Sequence, residues 1–183
     1  MSTGKIRVVC LGDSITWGFP FGHEASWVTM LDDAVDGDFI NQGINGNTTT
    51  DMLNRFDRAV VRDKPTHVII MGGLNDVLWR ESYDRIILNL QTMIEKAQAA
   101  GIKVVMGTPT ALDEPEMEIR VDKIRHWIKD YCRKNNIPVI DFAAAFFDGS
   151  GKLKTDLLLP DGGHPTRQGY QAIFDQIDFN VFA

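Results

Sequence analysis

The chain has 183 residues, 44% of them hydrophobic and 24% charged, with a net charge of −6 and a pI near 5.1. That balance excludes a disordered chain, and the length suffices for one substantial core. The excess of acid argues against nucleic acid or an anionic membrane as the main partner, because tracking phosphates requires a basic face.

The N-terminal segment "MSTGKIRVVCLG" enters the fold almost at once and holds no secretory apolar region. No run approaches the length of an integral membrane segment, and a cytoplasmic protein is the expectation. Cys10 lies in an apolar run and Cys132 on an expected helix, so both read as buried free thiols rather than a disulfide framework.

In chain order, short apolar runs fall at 6–12, 38–43, 67–73, 103–108 and 138–146. Four are almost continuously apolar, as strands covered on both faces are; the run at 38–43 is weaker. Helical spacing separates them. Shorter helices are expected near 27–34 and 51–60, with Thr48–Thr50 and Asp51 as the entry to the second. Tyr83, Ile86, Leu90, Met93 or Ile94, and Ala97 recur at three and four, with Gly101 as a stop. Met117, Val121, Ile124, Ile128 and Tyr131 repeat the pattern, and Tyr170, Ile173, Phe174 and Ile177 mark a last helix.

Strands alternating with helices imply right-handed crossovers and a parallel sheet in a single three-layer α/β domain spanning 1–183. In such folds the functional groups collect at the carboxyl ends of the strands. There the sequence places Gly12-Asp13-Ser14-Ile15-Thr16, then "NQGINGNTT" with Gly46, then "GGLND" with Asn75 and Asp76, and finally "LPDGGHPT" with Asp161 and His164.

Acyl transfer requires groups of these types. A serine hydroxyl becomes a nucleophile when a base takes its proton, and an imidazole, titrating near ~6.5, suits that work. A carboxylate on the other ring nitrogen fixes the tautomer. Backbone N–H groups or an Asn amide can receive the oxyanion, and Gly46 and Asn75 are the candidates. Gly162, Gly163 and Pro165 make "DGGHP" a tight loop able to fold Asp161 back onto His164.

Taken singly, each segment has a plainer reading. Ser14 could cap a helix, "NGN" could be a turn, and "DGGHP" a surface loop with a solvated histidine. His23 is the rival base, while His67 and His126 read as structural. The acidic cluster Asp32, Asp33, Asp36 and Asp38 has no His or Cys company and reads as a solvated helix end.

In order, the four loops resemble the SGNH or GDSL family of serine esterases and lipases. The matching blocks are Gly12-Asp13-Ser14-Ile15-Thr16, Gly46, Gly73-Leu74-Asn75-Asp76 and Asp161-Gly162-Gly163-His164. The resemblance implies a flavodoxin-like five-stranded parallel sheet in the order 2-1-3-4-5. It assigns Ser14 as nucleophile, His164 as base and then acid, and Asp161 as its orienter. The Ser14 N–H, the Gly46 N–H and the Asn75 amide would form the oxyanion hole. Asn47 stands where an acidic residue often follows the glycine of the second block.

The expected reaction is hydrolysis of a short-acyl or acetyl ester through acyl-Ser14, with no metal or cofactor. Lysophospholipid, thioester and acetylated carbohydrate substrates stay open. Asp13 and Asp76 are expected to hold loop backbones. The competing reading is a flavodoxin-like phosphate- or flavin-binding protein, to which "GDSITWG" offers no P-loop lysine and the Asp13 charge is opposed. The segments "WGFPFGHEASW" and "GTPTALDEPEMEI" are expected to wall the pocket, with Trp17, Phe19, Phe21 and Trp27 facing either substrate or core. The apolar tail "IDFNVFA" fits equally a role in the domain or against a partner.

Overall fold

The structure is a computed structural model that describes residues 5–183. Five parallel strands form one sheet: β1 (Ile6–Gly12), β2 (Gly37–Gly43), β3 (His67–Ile70), β4 (Lys103–Gly107) and β5 (Val139–Ile140). Their spatial order is β2-β1-β3-β4-β5, the order expected. From Val8 to Gly12 every residue of β1 is buried, as is all of β3, which is why both read as unbroken apolar runs. Among the described residues β2 pairs with β1 alone and stays partly exposed at this edge, which accounts for its weaker pattern.

Among the described residues, eight α-helices cover the sheet: α1 (Ser14–Trp17), α2 (Trp27–Ala34), α3 (Thr49–Asn54), α4 (Phe56–Ala59), α5 (Leu74–Leu78), α6 (Tyr83–Ala99), α7 (Pro115–Asn135) and α8 (Arg167–Phe174). α2 packs with α8, while α3, α6 and α7 form the other group. The buried side of α6 carries Ile86, Leu90, Met93, Ile94 and Ala97, and Gly101 follows its end with φ +72°. α7 buries Val121, Ile124, Ile128 and Cys132.

Two elements differ from expectation. The apolar run at 138–146 is strand for two residues only, and Phe142–Phe146 then coil into a 3-10 turn. β5 is an edge strand, and side chains take over where pairing stops. Thr108 Oγ1 donates to Asp141 Oδ1 at 3.0 Å and accepts from Ala143 N at 3.1 Å, so Phe142 and Phe146 reach the core from a turn. The helix expected at 51–60 is split at Arg55, whose backbone leaves helical angles (φ −103°, ψ 3°) as its side chain turns toward the sheet.

The C-terminal tail packs on its own domain. Phe182 is buried against Phe39 and His67, at ring separations of 5.5 and 5.9 Å. Among the described residues, no helix is long and apolar enough to cross a membrane.

Candidate active site

Ser14 lies two residues past the end of β1 and opens α1, but it does not cap it. Asp13 is the N-cap, its Oδ1 accepting from Ile15 N at 2.9 Å. The Ser14 hydroxyl is thereby left for another partner, and Oγ lies 2.9 Å from His164 Nε2. The turn tolerates no side chain at Gly12, where a Cβ would stand 2.1 Å from Thr16 Oγ1.

The loop bearing His164 is a small closed unit. Leu158 and Pro165 form an antiparallel bridge, Leu159 N donates to His164 O at 2.8 Å, and Gly162 turns the chain with φ +73°. His164 Nδ1 is 2.6 Å from Asp161 Oδ2, while Asp161 Oδ1 accepts from Gly163 N (3.0 Å) and His164 N (2.9 Å). Burial pulls the Asp161 carboxyl upward, but these backbone bonds and the imidazole outweigh it, and the net displacement is below the usual carboxylate range. The Phe19 ring packs on the His164 ring at 4.5 Å between centroids, and Tyr170 Oη fixes that segment by donating to Phe19 O at 2.7 Å.

Asn75 is in the first turn of α5, after Gly73 with φ +122°. Its Nδ2 donates to Asn47 O at 2.9 Å, tying α5 to the loop that follows β2. Ser14, Asn75 and His164 line one small cleft, walled by Ile15, Leu74, Leu78 and Leu112. Gly46 stands outside that lining, on the exposed turn closed by Asn47 N donating to Ile44 O at 3.2 Å. Its backbone is left-handed (φ +79°), and a Cβ there would touch nothing, so conformation rather than space asks for glycine.

Three buried groups brace this edge. Asp76, fully buried, accepts from Thr49 N at 2.9 Å and Thr49 Oγ1 at 2.5 Å, joining α5 to the start of α3. Burial raises its carboxyl, and the Thr49 bonds oppose that rise. Asp13 is as deeply buried, which pushes its carboxyl up to about 6 against the Ile15 N–H and the His164 charge. Arg55 is 7% exposed; Nη2 donates to Gly12 O (3.0 Å) and Gln42 O (2.8 Å), and Nε to Asn47 Oδ1 (2.7 Å). One guanidinium thus pins the exits of β1 and β2 and the residue after Gly46.

The arrangement brings Ser14, His164, Asp161 and Asn75 together and places Gly46 one residue from the tether. Among the described residues, no three His, Cys, Asp or Glu side chains are grouped to hold a metal ion. A phosphate has no place at the start of α1, where the Asp13 carboxylate already occupies the capping position. His23 lies edge-on to Trp17, at 5.3 Å between ring centroids, and the imidazole bonded to Ser14 is that of His164.

Residues 10–172 match the GDSL-like lipase/acylhydrolase family. The chain belongs to that family. It is an esterase/acylhydrolase, and the flavin- or phosphate-binding alternative has no support. The fold is similar to that of a protein of the G-D-S-L lipolytic family from Desulfitobacterium hafniense, with a TM-score of 0.86 and 28% identity over 94% of this chain and 97% of that one. It is also similar to a catalytic mutant of an acetylxylan esterase from Geobacillus stearothermophilus, with a TM-score of 0.80 and 26% identity, covering 96% and 94% of the two chains. In sequence, the lipoprotein YqeF of Bacillus subtilis is 28% identical over 95% of this chain and 88% of its own.

Sequence reasoning named Leu112's loop as a wall but missed Leu74, Leu78 and Arg55. Leu74 and Leu78 are spaced as one helical face, yet a helix of five residues carries too short a period to be recognised. Of the four aromatics weighed, Trp27 is core against Phe142, Phe21 packs on Tyr170, and Phe19 touches His164.

Proposed function

We propose that this protein hydrolyses short-acyl esters, acetyl esters foremost, through an acyl-Ser14 intermediate. The observation that carries the proposal is the relay from Ser14 Oγ to His164 Nε2 at 2.9 Å and from His164 Nδ1 to Asp161 Oδ2 at 2.6 Å. His164 takes the Ser14 proton as Oγ attacks the ester carbonyl, then passes it to the departing alkoxide, releasing the alcohol and leaving the acyl group on Oγ. Water, deprotonated by His164, attacks that acyl group, and collapse of the second tetrahedral intermediate releases the acid and returns the proton to Ser14.

The oxyanion is received by the Ser14 N–H, the Gly46 N–H and the Asn75 amide. The first N–H of a helix has no intrahelical acceptor. An amide has two N–H bonds, and Asn47 O holds one of those of Asn75, which aims the other. Gly46 is joined to the same tether through Asn47. The small cleft supports a short acyl group, as does the likeness to an acetylxylan esterase.

The test is kinetic and chemical together. Ser14→Ala should abolish turnover of phenyl acetate while keeping the melting temperature, and a slow-turnover acetyl donor should leave an acetyl adduct on the Ser14 peptide of the native protein. Undiminished turnover by Ser14→Ala would remove the proposal. Asn75→Ala should lower kcat by ~10²–10³-fold, the usual cost of one oxyanion donor.

A further inference from the structure

Trp79 is 77% exposed, the most exposed large apolar side chain among the described residues, and the chemistry above makes no use of it. It stands where α5 ends, with its N–H donating to Asn75 O at 2.9 Å. Residues four apart on a helix share a face, with Cβ atoms ~5–6 Å apart, so the indole rises one turn beyond the Asn75 side chain. Leu78, immediately before it, is 51% exposed and lines the cleft with Ser14 and His164. Trp79 itself lies outside the cleft's lining, one helical turn beyond Asn75, which belongs to it.

The backbone under the ring is fixed. Arg80 N donates to Val77 O at 3.0 Å with Arg80 left-handed (φ +59°), Glu81 N donates to the backbone O of Asp76 at 2.8 Å, and Glu81 O accepts from Arg120 Nη2 at 2.9 Å. A ring carried on such a frame loses little backbone freedom when a ligand stacks on it. Asn75 is also bonded to the turn Asn45–Asn47, where Asn45 is exposed. Beyond the cleft stands one exposed indole, a turn from the Asn75 amide and followed in the chain by the exposed, charged Arg80.

We infer that Trp79 is the stacking platform for the sugar ring of an O-acetylated pyranoside. A pyranose has an apolar C–H face and a rim of hydroxyls, which suits one indole beside amides; a long acyl chain would need an unbroken apolar channel. This rests on the short-acyl reading above and adds the alcohol half of the ester. The cleft takes the acetyl group, and the sugar lies across Leu78 onto Trp79.

The experiment compares kcat/KM for an acetylated methyl xyloside with that for ethyl acetate, which has no ring to stack. Loss of the indole in Trp79→Ala should lower the ratio of the two about 10-fold, and Trp79→Phe should keep it within a few-fold of the native value. An unchanged ratio in Trp79→Ala overturns the inference. Native protein that cleaves ethyl acetate but not the acetylated xyloside also overturns it while leaving the short-acyl reading intact. Native protein that cleaves neither ester overturns both.

Discussion

Replacing Arg55 by methionine tests whether the buried guanidinium positions the reacting groups or merely fills space. Methionine keeps much of the stem volume but removes three charge-assisted bonds, to Gly12 O, Gln42 O and Asn47 Oδ1. Each such bond contributes ~1.5–3 kcal/mol, for a gross loss of roughly 5–9 kcal/mol. Burying the cation already costs several kcal/mol, and that cost disappears with the charge. Gly12 O also keeps its bond from Ile44 N at 3.2 Å, and Asn47 is only half-buried, so water can serve its amide oxygen. The net loss is about 3 kcal/mol, or roughly 6–12 °C in Tm for a domain of this size.

The catalytic consequence follows from the tether. Asn47 loses its anchor, the Asn75 amide loses a fixed acceptor, and part of the oxyanion stabilisation goes with them. The expected result is a kcat about 10-fold lower with KM almost unchanged, because an oxyanion donor acts on the transition state. Phenyl acetate kinetics well below both melting points, paired with thermal denaturation, measures both effects. Arg55→Lys should recover part of the stability and less of kcat, since an ammonium cannot reproduce the fork. A variant that melts earlier yet keeps kcat within two-fold would refute the positioning role. So would additive losses in kcat when Asn47→Ala is combined with it, because residues acting through one tether are not additive.

Asp161→Asn should lower kcat by ~10⁴-fold with little change in KM, through the wrong imidazole tautomer; a loss below ten-fold would mean that the 2.6 Å contact does not orient His164. Asp13 titrates near 6 when folded and near ~3.9 unfolded, so between those values the folded state binds more protons and stability falls as pH rises. Asp13→Asn should flatten that fall, worth about 3 kcal/mol across the window, and an unchanged slope in urea melts from pH 4 to 7 would assign it elsewhere. Burial raises both thiols, that of Cys132 to about 12, so a disulfide reagent at pH 8 should modify neither until the protein is denatured; rapid labelling of the native protein would contradict their burial.

The sheet and long helices were legible because burial on two faces and three-four spacing over four or more turns leave patterns in composition. α6 and β3 show this most plainly, as Ile86, Leu90, Met93, Ile94 and Ala97 of the one and Val68 to Ile70 of the other line the core. The glycine-rich strand exits were legible as loops. What was not legible was the work of long-range polar side chains. Arg55 looks like one more helical arginine, and only the fold shows its guanidinium 43 residues away at Gly12 O. The split of α3 from α4 and the early end of β5 have the same origin, in side chains that compete with regular backbone pairing. Leu78 and Trp79 escaped for the converse reason: a five-residue helix has no period to read.

Ser14 shows how local and distant demands are reconciled in one turn. A serine at a strand exit can turn its oxygen to accept from a helix N–H or its proton toward an imidazole, and a cap bond would orient the hydroxyl away from His164 and occupy a lone pair needed for attack. Asp13 removes the conflict by taking the cap with Oδ1, at the cost of burying a carboxyl whose proton affinity then rises. Gly12 lets the turn close over Thr16, and Arg55 holds Gly12 O from behind. On the proposed mechanism, the Ser14 hydroxyl is left free to react because its neighbours on both sides do the structural work that its position would otherwise demand of it. Exchanging the two roles, with serine at position 13 and aspartate at 14, would preserve a capped turn and place a carboxylate against His164, and it would leave no nucleophile at all.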